Sequence, residues 1–223
     1  MTPSRLVPLP SSWPRAAVWF AAALLTASCG GSSSSTPATD NHVTAQASAS
    51  TSQKVTGRAP AASGGFPAII VLEPIGGGDS PAQAEPPRMD QEQQTFIPSL
   101  LVVRTGQPVD FLNHDDVLHN VRVRNDDTKE SAFNVAIPTG EKFTHVFKDD
   151  GFYDVGCDIH PGMSAQIFSS ASPYVVLADN AGAFTLPDVP NGPYKAIAYA
   201  GASKIEKEVS ISGTTGELDL TKP

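Results

Sequence analysis

Cys157, His160 and Met163 bring a thiol, an imidazole and a thioether into the short stretch Gly151-Phe-Tyr-Asp-Val-Gly-Cys-Asp-Ile-His-Pro-Gly-Met163. A second imidazole, His119, lies upstream in Asn113-His-Asp-Asp-Val-Leu-His-Asn-Val121. Two histidines and a cysteine in a trigonal set, with a weak axial methionine, are the donors of a blue-copper electron-transfer site. The soft sulfurs favour Cu(I), whereas the imidazoles suit both oxidation states. Such a set leaves neither state strongly preferred, which a one-electron carrier requires.

The neighbouring residues can position these donors. Tyr153, Val155 and Cys157 share one face of a strand by period two, and Met163, Ala165 and Ile167 alternate in the same way after the loop Asp158 to Gly162. A hairpin with Cys at the end of one strand and Met at the start of the next lets both sulfurs reach one point. Pro161 and Gly162 supply the turn, and His160 sits at its tip, where the ring edge can reach the surface. The plain alternative is an accidental grouping, because Cys and Met are ordinary core residues. Against it, the chain has only 2 Cys, 3 Met and 5 His, and four of these fall on the copper template.

Phe111-x-Asn113, His119-Asn120-Val121 and Gly151-x-Tyr153-x-Val155-x-Cys157-x-x-His160-x-x-Met163 resemble the cupredoxins, the small type 1 copper proteins that include plastocyanin, azurin, pseudoazurin and amicyanin. The ligand loop looks most like that of amicyanin. The resemblance covers about residues 90 to 170 and implies a Greek-key β-sandwich with one type 1 copper ion. It implies the metal ligands His119, Cys157, His160 and Met163. Asn120 then hydrogen-bonds across the site and steadies the ligand loops. His119 is preferred to His114 because the family motif places Asn and Val directly after its histidine; His114, flanked by Asp115 and Asp116, is the alternative. Asp158 departs from relatives that more often carry a neutral residue there. A carboxylate beside the ligating thiolate favours Cu(II), so a lower potential is expected.

The chain has 223 residues, 40% hydrophobic and 17% charged, with 20 Pro and 18 Gly, and little of it reads as amphipathic helix. That is the composition of an all-β chain of one or two domains. A formal charge of −8 argues against nucleic acid as a partner. Residues 1–28 read as a signal peptide: Arg5 and Arg15 precede the apolar run Ala16 to Ala27, too short to span a bilayer. Thr26-Ala-Ser-Cys29-Gly resembles a bacterial lipoprotein cleavage site, with Cys29 lipidated; the alternative is a plain secreted protein. A Cys29–Cys157 disulfide would consume the copper thiolate, so bridge and copper site exclude each other. Cleavage before Cys29 removes two of the 15 basic residues and none of the 23 acids, which leaves a charge of −10.

Residues 29–54 read as a disordered tether of Ser, Thr, Ala and Gly, with His42 exposed in it. Strands are expected at Ala68 to Leu72, Leu100 to Thr105, Val109 to Asn113 and Lys142 to Phe147, whereas Asn125 to Pro138 reads as loop. His145 is expected to pack or line a rim rather than bind metal. From Pro173 the pattern D-x-x-G-x-F-x-L-P-x-V-P-x-G-x-Y, Asp179 to Tyr194, resembles the carboxypeptidase regulatory-like (transthyretin-like) β-sandwich, with Phe184, Leu186 and Tyr194 facing a core. Strands follow at Lys195 to Ala200 and Lys204 to Ile211. Such a fold normally begins with strands like Val55-Thr-Gly and Ala68 to Leu72. The expected organisation is therefore a copper domain at 76–172 inserted into a second small β-sandwich built from 55–75 and 173–223.

The function expected is an exported one-electron carrier on the periplasmic face of a bacterial membrane, held by a lipid anchor. Copper storage or delivery is the alternative. An enzyme would need a second copper, and Cys157 is flanked by Gly156 and Asp158 instead of a relaying histidine. Asp149, Asp150, Asp154 and Asp158 cluster in sequence around the hairpin, so the expected partner is a basic redox protein such as a c-type cytochrome. Simple solvation is the other reading of those acids.

Overall fold

The computed structural model describes residues 51–62, 65–77 and 82–222. The signal segment, Cys29 and His42 lie outside them. Among the described residues there is no helix. The first strands are β1 (Ser52–Arg58), β2 (Ile69–Pro74), β3 (Arg88–Glu92), β4 (Thr95–Ile97), β5 (Leu100–Arg104), β6 (Pro108–Leu112), β7 (His119–Asn125) and β8 (Ser131–Ile137). They are followed by β9 (Lys142–Val146), β10 (Gly151–Gly156), β11 (Ser164–Ser170), β12 (Tyr174–Leu177), β13 (Ala183–Pro190), β14 (Gly192–Ala200), β15 (Ser203–Ile211) and β16 (Leu218–Asp219).

These strands form four sheets: β13-β1-β16, β12-β2-β14-β15, β5-β11-β10-β7-β8 and β4-β3-β6-β9. Side-chain alternation shows how they stack. Ile70 and Leu72 of β2 join Ala196 and Ala198 of β14 in a core with Val55, Leu186 and Val189 of the first sheet. The intervening residues Ile69, Val71 and Ile197 pack the other way, against Leu100 and Phe168. Ile167 and Val155 point onward into a third core with Phe111, Val109 and Met89. The β2 sheet is thus covered on both faces, as are β5 and β11 of its neighbour, which is why β2 is an unbroken apolar run. Each fully buried Ile or Leu contributes about 1.5–3 kcal/mol.

The chain order crosses this stack. β2 pairs with β12 and β14, and β1 with β13 and β16, although about a hundred residues separate β2 from β12. Phe184, Leu186 and Tyr194 are buried at 5%, 3% and 3%, as the turn motif implies. Two sequence expectations need correction. Asn125 to Pro138 is not all loop: Ser131–Ile137 is an edge strand paired with β7, and its polar members Ser131 and Asn134 hide the pattern. Ser52 to Lys54 belong to β1, not to the tether. The hairpin β3–β4 turns on Gln93 and Gln94, both at positive φ (51° and 54°), which gives the two central residues the left-handed conformation of a tight hairpin turn.

Candidate metal centre

β10 and β11 pair antiparallel with Gly156 opposite Ser164, so Cys157 and Met163 lie just beyond the end of the ladder. The Cys157 amide donates to the Met163 carbonyl at 3.3 Å, and the Met163 amide to the His160 carbonyl at 3.0 Å, which closes the loop between them. β7 pairs with β10 with Arg122 opposite Gly156. Continuing that antiparallel register brings His119, the first residue of β7, level with the loop. Asn113 braces the preceding turn: its side-chain amide donates to the carbonyls of Val117 (2.9 Å) and Ile137 (2.8 Å), and its oxygen accepts the Asp115 amide.

Three of the four expected donors converge. The ligating atoms of His119, Cys157 and His160 all lie within 4.8 Å of one another. Cys157 Sγ is 3.9 Å from each histidine Nδ1, and the two Nδ1 atoms are 2.9 Å apart. His119 is fully buried, Cys157 is a free thiol at 3% exposure, and Met163 is at 3% in the same core cluster. Only His160 is partly exposed. Two ring nitrogens and a thiol aimed at one dry point fit a thiophilic metal ion, and the donor set is that of blue copper.

Around the donors lies a shell that the motif only partly announced. His119 Nε2 is 2.9 Å from a carboxylate oxygen of Asp115. A carboxylate can only accept, so the proton sits on Nε2 and Nδ1 keeps its lone pair for the metal. Hydrogen bonds from the Gln94 amide first, and from His119, hold the Asp115 carboxyl down to about 2. Asn120 Oδ1 accepts the amides of Asp158 (2.7 Å) and Ile159 (3.2 Å) and faces Cys157 Sγ at 3.3 Å. The His160 amide donates to Cys157 Sγ at 3.4 Å.

Asp158 is not a bare charge beside the thiol. Its carboxylate accepts from Asn134 (2.9 Å), Asn120 (3.2 Å) and Arg122. The Asn134 hydrogen bond, ahead of the Arg122 charge, holds its carboxyl below the usual carboxylate range. Sequence reasoning missed Asp115, Arg122 and Asn134. The carboxylate four residues before His119 was a usable signal, because histidine ligands commonly donate their second N–H to an acid. Arg122 and Asn134 reach the site across strands, and nothing local marks them.

The remaining residues separate clearly. His114 is exposed and paired with Asp90. With Asp90 and Glu92 it forms a second group of donors, all of them reaching the surface. His145 is half-buried among Phe133, Phe143 and Phe147, with ring centroids at 4.6, 6.3 and 4.9 Å, and belongs to no donor group among the described residues. The four aspartates grouped in sequence are dispersed. Asp149 and Asp150 precede β10, about 25 Å from Cys157 at the usual rise per residue. Asp154 pairs with Arg124 and Asp158 with Arg122. Beside His119 and His160 the surface is apolar, with Val117, Leu118 and Ile159 exposed at 37%, 49% and 46%. Asp90, Glu92 and Asp116 lie on the strand and loop next to it.

Residues 87–168 match the family model described as copper binding proteins, plastocyanin/azurin family. No protein of curated function matches the chain. Among solved structures, the chain is similar to a purple cupredoxin from Nitrosopumilus maritimus at 25% identity and a TM-score of 0.34, over 38% of this chain and 99% of that one. It is similar to amicyanin from Paracoccus versutus at 18% identity and 0.36, over 40% and 85% of the two chains. A Cu-containing nitrite reductase (NirK) from Thermus scotoductus SA-01 shows 25% identity and 0.36, over 44% of this chain and 25% of that one.

Proposed function

With residues 87–168 a copper-binding domain of the plastocyanin/azurin family, we propose that this chain is a one-electron carrier with a single type 1 copper held by His119, Cys157, His160 and Met163. The convergence of Cys157 Sγ and two histidine Nδ1 atoms in a buried pocket carries the reading. Copper bound there supplies a couple that gains and loses one electron. The protein does the rest. Asp115 keeps Nδ1 of His119 unprotonated. Asn120 fixes two amides of the ligand loop. The strands β7, β10 and β11 resist rearrangement between oxidation states, because their inward residues Val121, Val123, Val155 and Ile167 are fully buried in one core. Half-buried His160, within the apolar surface of Leu118 and Ile159, is the exit to a partner.

The partner proposed is a basic redox protein such as a c-type cytochrome, docking its heme edge on that apolar surface with Asp90, Glu92 and Asp116 beside it. Lipidation at Cys29 would hold the protein at the periplasmic face of a bacterial membrane. The second sandwich, assembled from 55–75 and 173–223, serves as a rigid base for the copper domain. Storage or delivery is the competing role, and a redox cycle separates them. A carrier bleaches on one-electron reduction and recovers its full colour on reoxidation, with copper retained against a Cu(I) chelator. Loss of copper on each reduction would favour delivery.

A further inference from the structure

Asp158 follows the thiol-bearing Cys157 directly, and the side chains around it form a closed circuit. Arg122, opposite Gly156 in the β7–β10 ladder, reaches over that glycine to the Asp158 carboxylate. A Cβ on Gly156 would lie 2.6 Å from Arg122 Nη2, so the absent side chain makes room for the guanidinium. The other carboxylate oxygen accepts from Asn120 (3.2 Å) and Asn134 (2.9 Å), and Asn120 also donates to Asn134 Oδ1 at 2.8 Å. With both N–H groups of Asn120 directed at Asp158 and Asn134, its oxygen must point the other way. There it meets the Asp158 and Ile159 amides and Cys157 Sγ.

We propose that Arg122, Asp158 and Asn134 form a charge-neutral clamp that orients Asn120 and so holds the Cys157–His160 loop in its metal-ready geometry. The clamp has two consequences. The loop is set before any metal arrives, because none of these contacts needs one. The acid beside the thiolate is cancelled by Arg122, so it does not by itself lower the potential as its position in the sequence suggests. Arg122 and Asp158 are positioning residues: Asp158 accepts from Asn120, and Arg122 pairs with Asp158. The electrostatic half of the proposal rests on the copper reading above; the structural half does not.

The experiment has two arms, both on the full chain. In the metal-free protein, amide hydrogen exchange at Asp158 and Ile159 is compared between wild type and Arg122→Met, Asp158→Ala, Asn134→Ala and Gly156→Ala. Loss of the clamp should speed exchange at those two amides about tenfold, the size of one net hydrogen bond. Arg122→Lys, which keeps the charge, should restore part of the protection. Asn134 is exposed on an edge strand, and its variant reports even if Arg122→Met fails to fold. In the copper-loaded protein, Arg122→Met should lower the potential, Asp158→Ala should raise it, and the double variant should return close to wild type. Unchanged exchange in every variant overturns the clamp. Equal shifts of one sign in both single variants overturn the cancellation. A wild-type protein without thiolate-to-copper colour overturns the copper reading alone, and the exchange arm still decides the clamp.

Discussion

Asp115 holds His119 by the ring edge that faces away from Cys157: Nε2 is 2.9 Å from the carboxylate, while Nδ1 faces the thiol at 3.9 Å. The carboxylate therefore belongs to the candidate metal centre without touching the donors' convergence point. Removing it frees the ring to protonate Nδ1 or to rotate. Asp115→Ala should weaken metal affinity about 10–100-fold, the usual effect of losing such a partner. A competition titration of the metal-free protein with Co(II) or Cu(I) measures it. An unchanged affinity would mean that the Asn113 turn alone orients His119.

The two histidines of the loop should behave differently. His119→Ala removes a fully buried donor, whereas His114→Ala removes an exposed ring paired with Asp90. Copper-loaded His114→Ala should keep the wild-type visible spectrum, and His119→Ala should lose it. Equal damage from both would transfer the ligand role to the loop as a whole.

Charge at the copper end comes from residues distant in sequence from the hairpin. Asp90→Asn with Glu92→Gln should flatten the salt dependence of electron exchange with a basic cytochrome. Asp149→Asn with Asp150→Asn, at the far end of β10, should leave it almost unchanged, because screening confines steering to about 8–10 Å at physiological salt. Stopped-flow rates at several ionic strengths decide between them. A rate that does not fall with salt in the wild type would leave the apolar surface around His160 as the whole docking site.

His145 gives a pH signature unrelated to copper. Burial among phenylalanines, and then the nearby Lys148 charge, push its ring below the usual histidine value. The unfolded chain binds this proton more readily than the folded one. Stability therefore falls as pH drops through the ordinary histidine value, near 6.5, towards the depressed folded value. His145→Phe should be less acid-labile than wild type over that window in denaturant titrations of the metal-free protein. Parallel pH profiles for the two would show that another group sets the acid limb.

The layer between the central sheets should make the described part of the chain unfold as one unit. Phe168, at 3% exposure, stacks near Phe152 and Tyr199 with centroids 4.8 and 5.3 Å away, and packs with Ile69, Val71 and Ile197. Phe168→Ala should cost about 3–5 kcal/mol and lower a single calorimetric transition. Two separate transitions, with only one displaced, would show that the copper domain stands independently of the second sandwich.

Legibility in the sequence followed distance along the chain. Cys157, His160 and Met163 lie within one hairpin, and period-two alternation placed the strands on either side. His119 was readable through the cupredoxin resemblance, from Asn120 and Val121 directly after it. Phe184, Leu186 and Tyr194 were readable from turn chemistry. The two-sided burial of Ile69 to Leu72 was present as an unbroken apolar run, but the run does not say what covers each face. Arg122 and Asn134 reach Asp158 only through the register of β7 with β10 and β8, so no local pattern exposes them. The acids around Cys157 misled for the same reason: nearness in sequence put Asp149 at one end of β10 and Asp158 at the other.

That copper bonds to the Cys157 thiolate is tested by the paired visible and EPR spectra of the copper-loaded protein. The wild type should show an intense thiolate-to-copper band in the visible with the narrow copper hyperfine splitting of a type 1 site, both absent in Cys157→Ser. A wild-type spectrum without that band, or one that survives in Cys157→Ser, would contradict it.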